Sequence, residues 1–383
     1  MWNLPRVVWA VAAGRFFTSA SSFLMLFLTL YLTGPRGLGV LAAGLLTGTS
    51  GVGWLVGNFT GGRWGDRHGH RRTALVASTA SGLLVAAIPL QPVGLMALTL
   101  PASTYLAATA GVSLGALTAL SVERGDRRTM VAVSRAASNA GFVLGPPLGA
   151  LLAAWSFDAL FVVDGLMLLA VRFALAPALP RQEPLTGGAT TGFLAALRAD
   201  RALLRLLPAV VVVDLVYRQL YTTVPLHLRD EGMGLGLYAV LNSLGSGLIL
   251  LLEIPVALRL RGFSSYPIIA AGYALVGVGF ALFGLPVSAA TAVLAVVVLT
   301  AGEILYKTTA TAHVLDAAPD HLVGQYQGLY TGAATSGSLL AGPVGGAVYA
   351  LAPALLWPLC GAAGLLAAAS VLTLRRTPAG TRS

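Results

Sequence analysis

Residues 62–72 read GRWGDRHGHRR and stand between two long apolar stretches of the chain. The glycines of this segment, among them Gly62 and Gly69, permit a tight turn and a close approach of neighbouring helices. A carboxylate at Asp66 is costly at a membrane edge unless a partner balances its charge, and the positive N-terminal end of a helix is such a partner. A segment that only oriented the chain in a membrane would need the arginines, but neither this aspartate nor the spaced glycines.

The chain around this segment is far more apolar than a soluble protein. Of its 383 residues, 56% are hydrophobic and 10% are charged, whereas a soluble domain has roughly 25% charged residues. Each membrane-spanning helix needs roughly 20 apolar residues, so twelve of them use most of the chain and leave short loops. The sequence therefore predicts an all-α membrane protein with twelve transmembrane helices. Their predicted ranges are 7–33, 38–63, 73–91, 94–121, 129–155, 158–179, 203–228, 236–258, 266–286, 288–315, 324–350 and 353–374.

The arginines indicate how the chain is oriented in the membrane. With the N-terminus in the cytoplasm, seventeen arginines in loops or at helix ends fall inside, and two, Arg36 and Arg229, fall outside. This is a strong positive-inside bias, so both termini are expected to be cytoplasmic. The inside arginines are Arg6, Arg63, Arg67, Arg71, Arg72, Arg124, Arg127, Arg128, Arg181, Arg198, Arg201, Arg205, Arg259, Arg261, Arg375, Arg376 and Arg382.

The net charge of +10 is therefore interpreted as a topology signal, because the basic residues lie between apolar stretches. No nucleic-acid partner is expected. The lone cysteine, Cys360, lies in an apolar stretch and supplies neither a disulfide framework nor a metal site. Frequent alanine, glycine and arginine are typical of a GC-rich bacterial source, so we expect a multi-pass protein of the bacterial cytoplasmic (inner) membrane.

Two related halves are indicated by a repeated pattern. Residues 145–149 read GPPLG in the predicted fifth helix, and residues 342–346 read GPVGG in the eleventh, the fifth of the second half. The longest polar interruption, near 180–202, is rich in proline and glycine. We predict a six-helix bundle over 1–179, a cytoplasmic linker over 180–202 with a short interfacial helix near 192–201, and a second bundle over 203–383. Such symmetry is typical of transporters with a site between their halves.

The segment at 62–72 resembles the signature of the major facilitator superfamily, Gly-x-x-x-Asp-Arg-x-Gly-x-Arg, which lies between the second and third helices. The resemblance implies the major facilitator fold of two pseudo-symmetric six-helix bundles over nearly the whole chain. In that family the segment latches the two halves in the outward-facing state, and the eleventh helix is its usual partner. The latch residues implied here are Gly62, Asp66, Arg67, Gly69, Arg71, Arg72 and Glu123. Either Glu123 or Asp126 is expected to pair with Arg71 or Arg72.

The predicted fifth helix carries a second motif, formed by Asn139, Gly141, Gly145, Pro146 and Gly149. Small residues spaced four apart let helices approach closely, and the proline is expected to bend the helix. The pattern resembles the motif that marks exporters of the superfamily, chiefly drug/proton antiporters. Helix packing alone is the alternative. The fourth helix departs from many proton-coupled exporters, because residues 102–120 contain no charged side chain.

Five ionisable residues lie deep within predicted helices, where charge is costly and therefore indicates function. Arg15 is in the first helix, Asp214 and Arg218 are in the seventh, and Glu303 and Lys307 are in the tenth. Each of the last two pairs is spaced i, i+4, so each acid can reach its base. A carboxylate beside a base can release and regain a proton as its surroundings change, which predicts proton coupling at both pairs. The alternative is that each pair is an internal salt bridge that makes buried charge tolerable.

A substrate cavity is expected among polar and aromatic residues of several helices, because ligand sites combine apolar walls with a few polar groups. Packing or lipid contact is the alternative for each aromatic taken alone. The predicted cavity residues are Arg15, Phe23, Asn139, Tyr217, Gln219, Tyr221, Asn242, Tyr306 and Tyr330. Together with the motifs above, these helices look like those of bacterial twelve-helix multidrug exporters.

The leading hypothesis is a secondary transporter that exports small amphipathic organic compounds in exchange for protons. Its expected partners are the small-molecule substrate, protons and the lipid bilayer. We expect a monomer with no metal and no cofactor, the proton gradient being its energy source. An uptake symporter or a lipid flippase on the same fold is one alternative, and a non-transporting membrane sensor or scaffold is another. An enzyme is not expected, because the sequence shows no Ser/His/Asp, metal-ligand or phosphate-loop constellation.

Overall fold

The computed structural model describes residues 4–181, 197–198, 200–233, 235–286 and 288–374. Within these ranges the secondary structure is helical, with no β-strand, so the predicted all-α fold is confirmed. Apolar segments form helices in a bilayer because each backbone amide must find its partner within its own segment. The α-helices are α1 (Arg6–Ala20), α2 (Phe23–Thr33), α3 (Val40–His68), α4 (His70–Ala86), α5 (Val93–Leu120), α6 (Arg127–Trp155), α7 (Phe157–Leu175), α8 (Arg201–Thr222), α9 (Val224–Asp230), α10 (Leu235–Arg259), α11 (Ser265–Ala281), α12 (Ala289–Ala317), α13 (Val323–Leu351) and α14 (Pro353–Leu374).

Two of the predicted spans are each divided between two helices. The first span, predicted as one helix over 7–33, is interrupted at Ser21 and Ser22, and the seventh, predicted over 203–228, is interrupted at Thr223. Pro225 stands in the first turn of α9 and has no amide with which to continue the preceding helix. Counting each pair as one segment gives twelve, which is compatible with twelve spans. Seven of the described segments are long and apolar enough to cross a membrane by length and composition alone.

The segment at 62–72 is helical almost throughout. The predicted helices 38–63 and 73–91 leave most of it between them as a loop, and that part of the prediction is wrong. Helix α3 continues to His68 and α4 begins at His70. Only Gly69 interrupts them, with a φ of +88°. Glycine adopts positive φ without the steric penalty of a side chain, and one such residue is enough to reverse the chain.

Two compact units make up the chain. The first unit is Met1–Ala189 with Leu315–Gly332, and the second is Thr190–Val314 with Ala333–Ser383. The start of α13 therefore groups with the N-terminal helices. The predicted bundle boundaries at 179 and 203 stay a prediction, and the predicted linker and interfacial helix lie largely outside the described residues.

Each unit buries a core of its own. In the first unit, Phe23, Tyr31, Met96 and Phe161 are central members of a buried apolar cluster. Helix α3 packs along α5, and α1 packs along α6. In the second unit, α14 packs against both α11 and α8.

The surface is apolar where a soluble protein would be polar. Large side chains such as Leu151, Trp155, Leu251 and Leu351 are well exposed, whereas polar side chains such as Gln219 are fully buried. Soluble proteins rarely expose such extensive apolar surface. This distribution identifies lipid as the surrounding medium.

Candidate functional site

An acid–base pair lies inside the second unit, on α12. The ammonium nitrogen of Lys307 is 3.1 Å from Oε1 of Glu303, and the side chain of Glu303 is only 6% exposed. The two residues are one helical turn apart, which is the spacing from which their contact was predicted. The structure therefore brings together the two predicted coupling residues of this helix.

Tyr217 of α8 contacts both members of the pair. Its hydroxyl donates to Oε2 of Glu303 at 2.6 Å, and the ammonium nitrogen of Lys307 lies 3.6 Å from the centre of its ring. A hydroxyl–carboxylate bond of this length is charge-assisted, and the ring face attracts the cation. Tyr217 was predicted as a cavity residue, and its contact with Glu303 could not be read from residues so far apart in the chain.

A second tyrosine extends this cluster toward the surface of the unit. The hydroxyls of Tyr217 and Tyr221 are 3.4 Å apart, and Tyr221 is 47% exposed. The two rings, one turn apart on α8, meet edge to face. A row of side-chain oxygens, within 2.6 and 3.4 Å of each other, thus runs from the buried carboxylate of Glu303 through Tyr217 to the partly exposed Tyr221.

The other predicted coupling pair has a different setting. Asp214 is buried on α8 next to Gly337 of α13. Arg218 is exposed, its Nε donates to Oγ of Ser338 at 2.9 Å, and its guanidinium lies 5.7 Å from the ring centre of Tyr221. A coupling role for Asp214 and Arg218 stays a prediction.

Gln219 is placed in the packing of α8 against α13. Its side chain is fully buried, and Nε2 donates to the carbonyls of Leu215 and Ala341. Its Oε1 accepts hydrogen bonds from the hydroxyls of Thr222 and Thr223. A buried amide that is satisfied on every side stabilises the contact between two helices.

The remaining predicted cavity residues are distributed over both units. Phe23 and Tyr330 are buried in the first unit, and Tyr306 is buried in the second, where its ring packs against Tyr273. Asn139, in the first unit, and Asn242, in the second, are half-buried. Arg15 is partly exposed as a residue, but its Nε is buried with no hydrogen-bond partner in the described part of the chain. A common cavity for these residues stays a prediction.

Asp66 caps the N-terminus of α13, within the first unit. Its Oδ1 accepts from the amide of Gly324 at 3.0 Å, and its Oδ2 accepts from the amide of Gln325 at 2.9 Å. These are among the amides that a helix leaves unpaired at its start, and the helix dipole favours a negative charge there. The eleventh predicted helix was expected to be the partner of this carboxylate, and α13 is that helix.

The neighbours of Asp66 show why this segment needs its residue types. A Cβ at Gly62 would overlap the backbone of Gly324, so only glycine permits this approach. His70, the first residue of α4, brings Nε2 to 3.1 Å from Oδ1 of Asp66. His70 was not predicted as a latch residue, and its spacing from Asp66 gave no signal, because the turn at Gly69 separates the two residues.

The basic latch residues have separate surroundings. Arg71 donates to the carbonyls of Ala176 and Leu179 after α7, which fastens the start of α4 to that end of the bundle. Arg67, Arg72 and Glu123 are exposed. The pairing of Glu123 or Asp126 with these arginines stays a prediction.

Two ion pairs near the latch were not predicted from the sequence. Arg124 pairs with Asp320 at 3.4 Å. Arg127 donates to the carbonyl of Leu315 at 2.5 Å and lies 3.7 Å from Asp316. All of these residues belong to the first unit, and their partners are nearly 200 positions away in the sequence.

The glycine motif of α6 lies against the first two helices. A Cβ at Gly141 would overlap the carbonyl of Phe16 on α1, and a Cβ at Gly149 would overlap the ring of Phe27 on α2. Gly145 lies between them, against Ala20. The motif therefore lets α6 contact the first predicted span on both sides of its interruption, and α6 continues through Pro146 to Trp155.

An apolar exterior, two helical units and a buried acid–base pair define an integral membrane transporter rather than an enzyme. The sequence profile of the Major Facilitator Superfamily matches residues 11–343. The chain belongs to this superfamily, as its signature at 62–72 indicates.

Known members of the superfamily resemble the chain over most of its length. The MFS-type transporter YqjV of Bacillus subtilis, itself uncharacterised, is 24% identical over 348 residues, which are 85% of this chain and 82% of YqjV. The human organic anion transporter MFSD10 superposes with a TM-score of 0.81 at 17% identity, covering 97% of this chain and 100% of MFSD10. The fucose:proton symporter FucP of Escherichia coli superposes with a TM-score of 0.76 at 13% identity, covering 96% and 97%. The two structural similarities establish the fold.

Proposed function

We propose that this protein exports small amphipathic organic compounds in exchange for protons, by alternating access. The observation that carries the proposal is the cluster of Glu303, Lys307 and Tyr217 in the second unit. It combines a buried carboxylate, a cation at 3.1 Å and a phenol at 2.6 Å. Intramembrane ionisable groups mark proton and substrate pathways in transporters.

Protonation of Glu303 would change the charge of this cluster. With Glu303 ionised, its carboxylate balances the ammonium of Lys307. When a proton from water adds to the carboxylate, the cluster gains one positive charge and Lys307 loses its counter-ion. A buried uncompensated charge is costly, so the protonated protein favours a conformation in which Lys307 reaches water or an anionic group. This difference between two states is what a coupling site must supply.

Export is supported by the glycine motif of α6, which resembles that of superfamily exporters. An organic solute as cargo is supported by similarity in fold to MFSD10, an organic anion transporter. A second candidate is proton-coupled uptake, since the fold is equally that of the fucose:proton symporter FucP. The direction in which an imposed proton gradient moves substrate separates the two.

The proposal is tested in proteoliposomes with an imposed pH gradient and a panel of fluorescent amphipathic compounds. Wild-type protein is expected to accumulate at least one compound against its gradient, on the side from which protons leave. Glu303→Gln is expected to abolish accumulation while still letting the compound equilibrate. Glu253→Gln is the matched control, because Glu253 is equally buried in the second unit but accepts from Thr308. Accumulation by Glu303→Gln at the wild-type level would refute the assignment.

Further parts of the proposal concern the setting of the protein. We place it in the bacterial inner membrane as a monomer, with both termini in the cytoplasm and only the proton gradient as its energy source. The arginine distribution supports the orientation. Single cysteines at positions 376 and 36, in a Cys360→Ala background, are labelled from either side of sealed vesicles to test it. Position 376 is expected to react from the cytoplasmic side and position 36 from the other side. The opposite pattern would show that the orientation is the reverse.

A further inference from the structure

The first predicted span is interrupted in the middle of an apolar segment without a proline or a glycine. Helix α1 ends at Ala20 and α2 begins at Phe23. Ser22 stands at the N-cap of α2, yet its side chain makes no capping bond. Its hydroxyl donates backward to the carbonyl of Thr18 at 2.8 Å. The new helix therefore begins without the local cap that serine usually provides.

The cap comes from another helix. Oδ2 of Asp164, on α7, accepts from the amide of Leu24 at 3.0 Å. Asp164 is 5% exposed and lies 140 positions from Leu24 in the chain. The carboxylate thus satisfies one of the amides that α2 leaves unpaired, and its charge faces the positive end of that helix.

No cation balances this carboxylate in the described part of the chain. Helix α7 packs against α1, α2, α4 and α6. The ionisable groups of those helices and of α7 itself are Arg6, Arg15, Tyr31, His70, Arg71, Arg72, Arg127, Arg128, Arg135, Asp158 and Arg172. None of them forms an ion pair with Asp164. Tyr31, the ionisable residue of α2, donates its hydroxyl hydrogen to Asp158 at 2.9 Å.

A second polar group at the interruption faces the same carboxylate. The buried hydroxyl of Ser21 lies beside Asp164, close enough to donate a hydrogen bond toward it. A hydroxyl can both donate and accept a hydrogen bond. Ser21 can therefore donate to Asp164 when the carboxylate is ionised and accept from its O–H when the carboxyl is protonated.

The opposite side of the interruption faces the glycine motif. Gly141 contacts Ser19, Gly145 contacts Ala20, and Gly149 contacts Phe23. With no side chains on α6 at these positions, the ends of α1 and α2 lie directly on its backbone. The interruption is therefore held between a side-chain-free surface on α6 and a single carboxylate on α7.

We propose that Asp164 is a second proton-accepting carboxylate, and that its protonation releases the start of α2 from α7. In the ionised state, Asp164 holds the amide of Leu24. When a proton from water adds to one carboxylate oxygen, the charge that favours the helix start disappears, and the new O–H turns to Ser21. The two parts of the first span then move relative to each other along the glycines of α6. That this movement serves the conformational change of transport rests on the proposed function, whereas the movement itself does not depend on it.

Hydrogen–deuterium exchange of the purified protein in detergent tests the proposal without any transport assay. Exchange at the amides of residues 23–25 is followed from neutral to acidic pH, with correction for the intrinsic dependence on pH. In wild-type protein, acidification is expected to speed corrected exchange by about fivefold, as for loss of one helix N-cap. In Asp164→Asn, which keeps an acceptor oxygen but cannot ionise, corrected exchange is expected to be independent of pH.

One control variant and one fallback measurement keep the test decisive. Asp158→Asn, on the same helix, removes a carboxylate that accepts from Tyr31 and is expected to leave the pH dependence at residues 23–25 intact. If Asp164→Asn does not fold, the wild-type profile still decides. A wild-type profile that is flat with pH overturns the proposal, as does a dependence retained in Asp164→Asn or lost in Asp158→Asn. Absence of transport activity would contradict the proposed function and leave this result standing.

Discussion

Replacement of Asp66 by alanine is the sharpest test of the latch at the start of α13. The substitution removes the acceptor of two backbone amides, at Gly324 and Gln325, and the contact with His70. Loss of an N-cap costs about 0.5–2 kcal/mol, and a partly buried charge at a helix N-terminus contributes up to about 2 kcal/mol. Because these contributions overlap, their total is smaller than their sum, and we expect Asp66→Ala to cost about 1–3 kcal/mol in local stability.

The assay is hydrogen exchange at the amides of residues 324 and 325. Since about 1.4 kcal/mol is a tenfold change in an equilibrium constant, exchange is expected to accelerate about 5- to 140-fold. Asp66→Asn keeps one acceptor oxygen and is expected to fall between wild type and Asp66→Ala. Asp320→Asn is the matched control: this exposed aspartate pairs with Arg124 at 3.4 Å, and such surface pairs contribute about 0–1 kcal/mol. Exchange in Asp66→Ala within about twofold of wild type would refute the capping argument.

Three further predictions concern other sites. Tyr217→Phe keeps the ring beside Lys307 but removes the donor to Glu303. Because a hydrogen bond to a charged group is worth about 1.5–3 kcal/mol, the variant is expected to slow proton-driven transport in proteoliposomes about tenfold. An unchanged rate contradicts the role of this bond. Gly69→Ala is expected to destabilise the turn at φ +88° by about 1–3 kcal/mol and to lower the midpoint of thermal unfolding. The control Gly125→Ala, where an added Cβ meets open space, is expected to leave the midpoint unchanged. Equal midpoints for the two variants contradict the argument. Gln219→Ala is expected to lower the free energy of unfolding by about 1–3 kcal/mol through unpaired buried groups, measured by thermal denaturation, and a stability equal to wild type shows that the α8–α13 contact does not depend on it.

Contacts within one helix, or within a motif, could be predicted from the sequence. The pairing of Glu303 with Lys307 followed from their spacing on one helix face. The contact of Asp66 with the eleventh predicted helix followed from the resemblance of residues 62–72 to a known signature. The division of the seventh span near Pro225 also had a local cause, although the sequence analysis treated that span as one helix.

Contacts between distant segments could not be predicted, and they define much of the candidate sites. Tyr217 reaches Glu303 across 86 positions, and Asp164 reaches Leu24 across 140. The interruption after Ala20 could not be predicted, because no proline or glycine marks it and the carboxylate that caps the next helix comes from α7. Asp164 was overlooked among the charges within predicted helices, although it lies inside the predicted sixth helix and is buried as deeply as Glu303.

The turn at Gly69 was missed for a different reason. Charged residues such as Asp66, Arg67 and Arg71 suggested a loop, since polar runs between apolar stretches usually connect helices. At a membrane edge, however, such residues can continue a helix while their side chains reach water or backbone carbonyls. One glycine with positive φ then suffices to join α3 to α4.

The central claim, that Glu303 carries the proton, is tested most directly by proton movement during downhill substrate flow. Proteoliposomes loaded with a pH-sensitive dye and with a transported compound are diluted into compound-free buffer, without an imposed pH gradient. Wild-type protein is expected to move protons opposite to the compound and to change the internal pH. Glu303→Gln is expected to release the compound with no change in internal pH. Proton movement that persists in Glu303→Gln at the wild-type ratio of protons to compound would contradict the account.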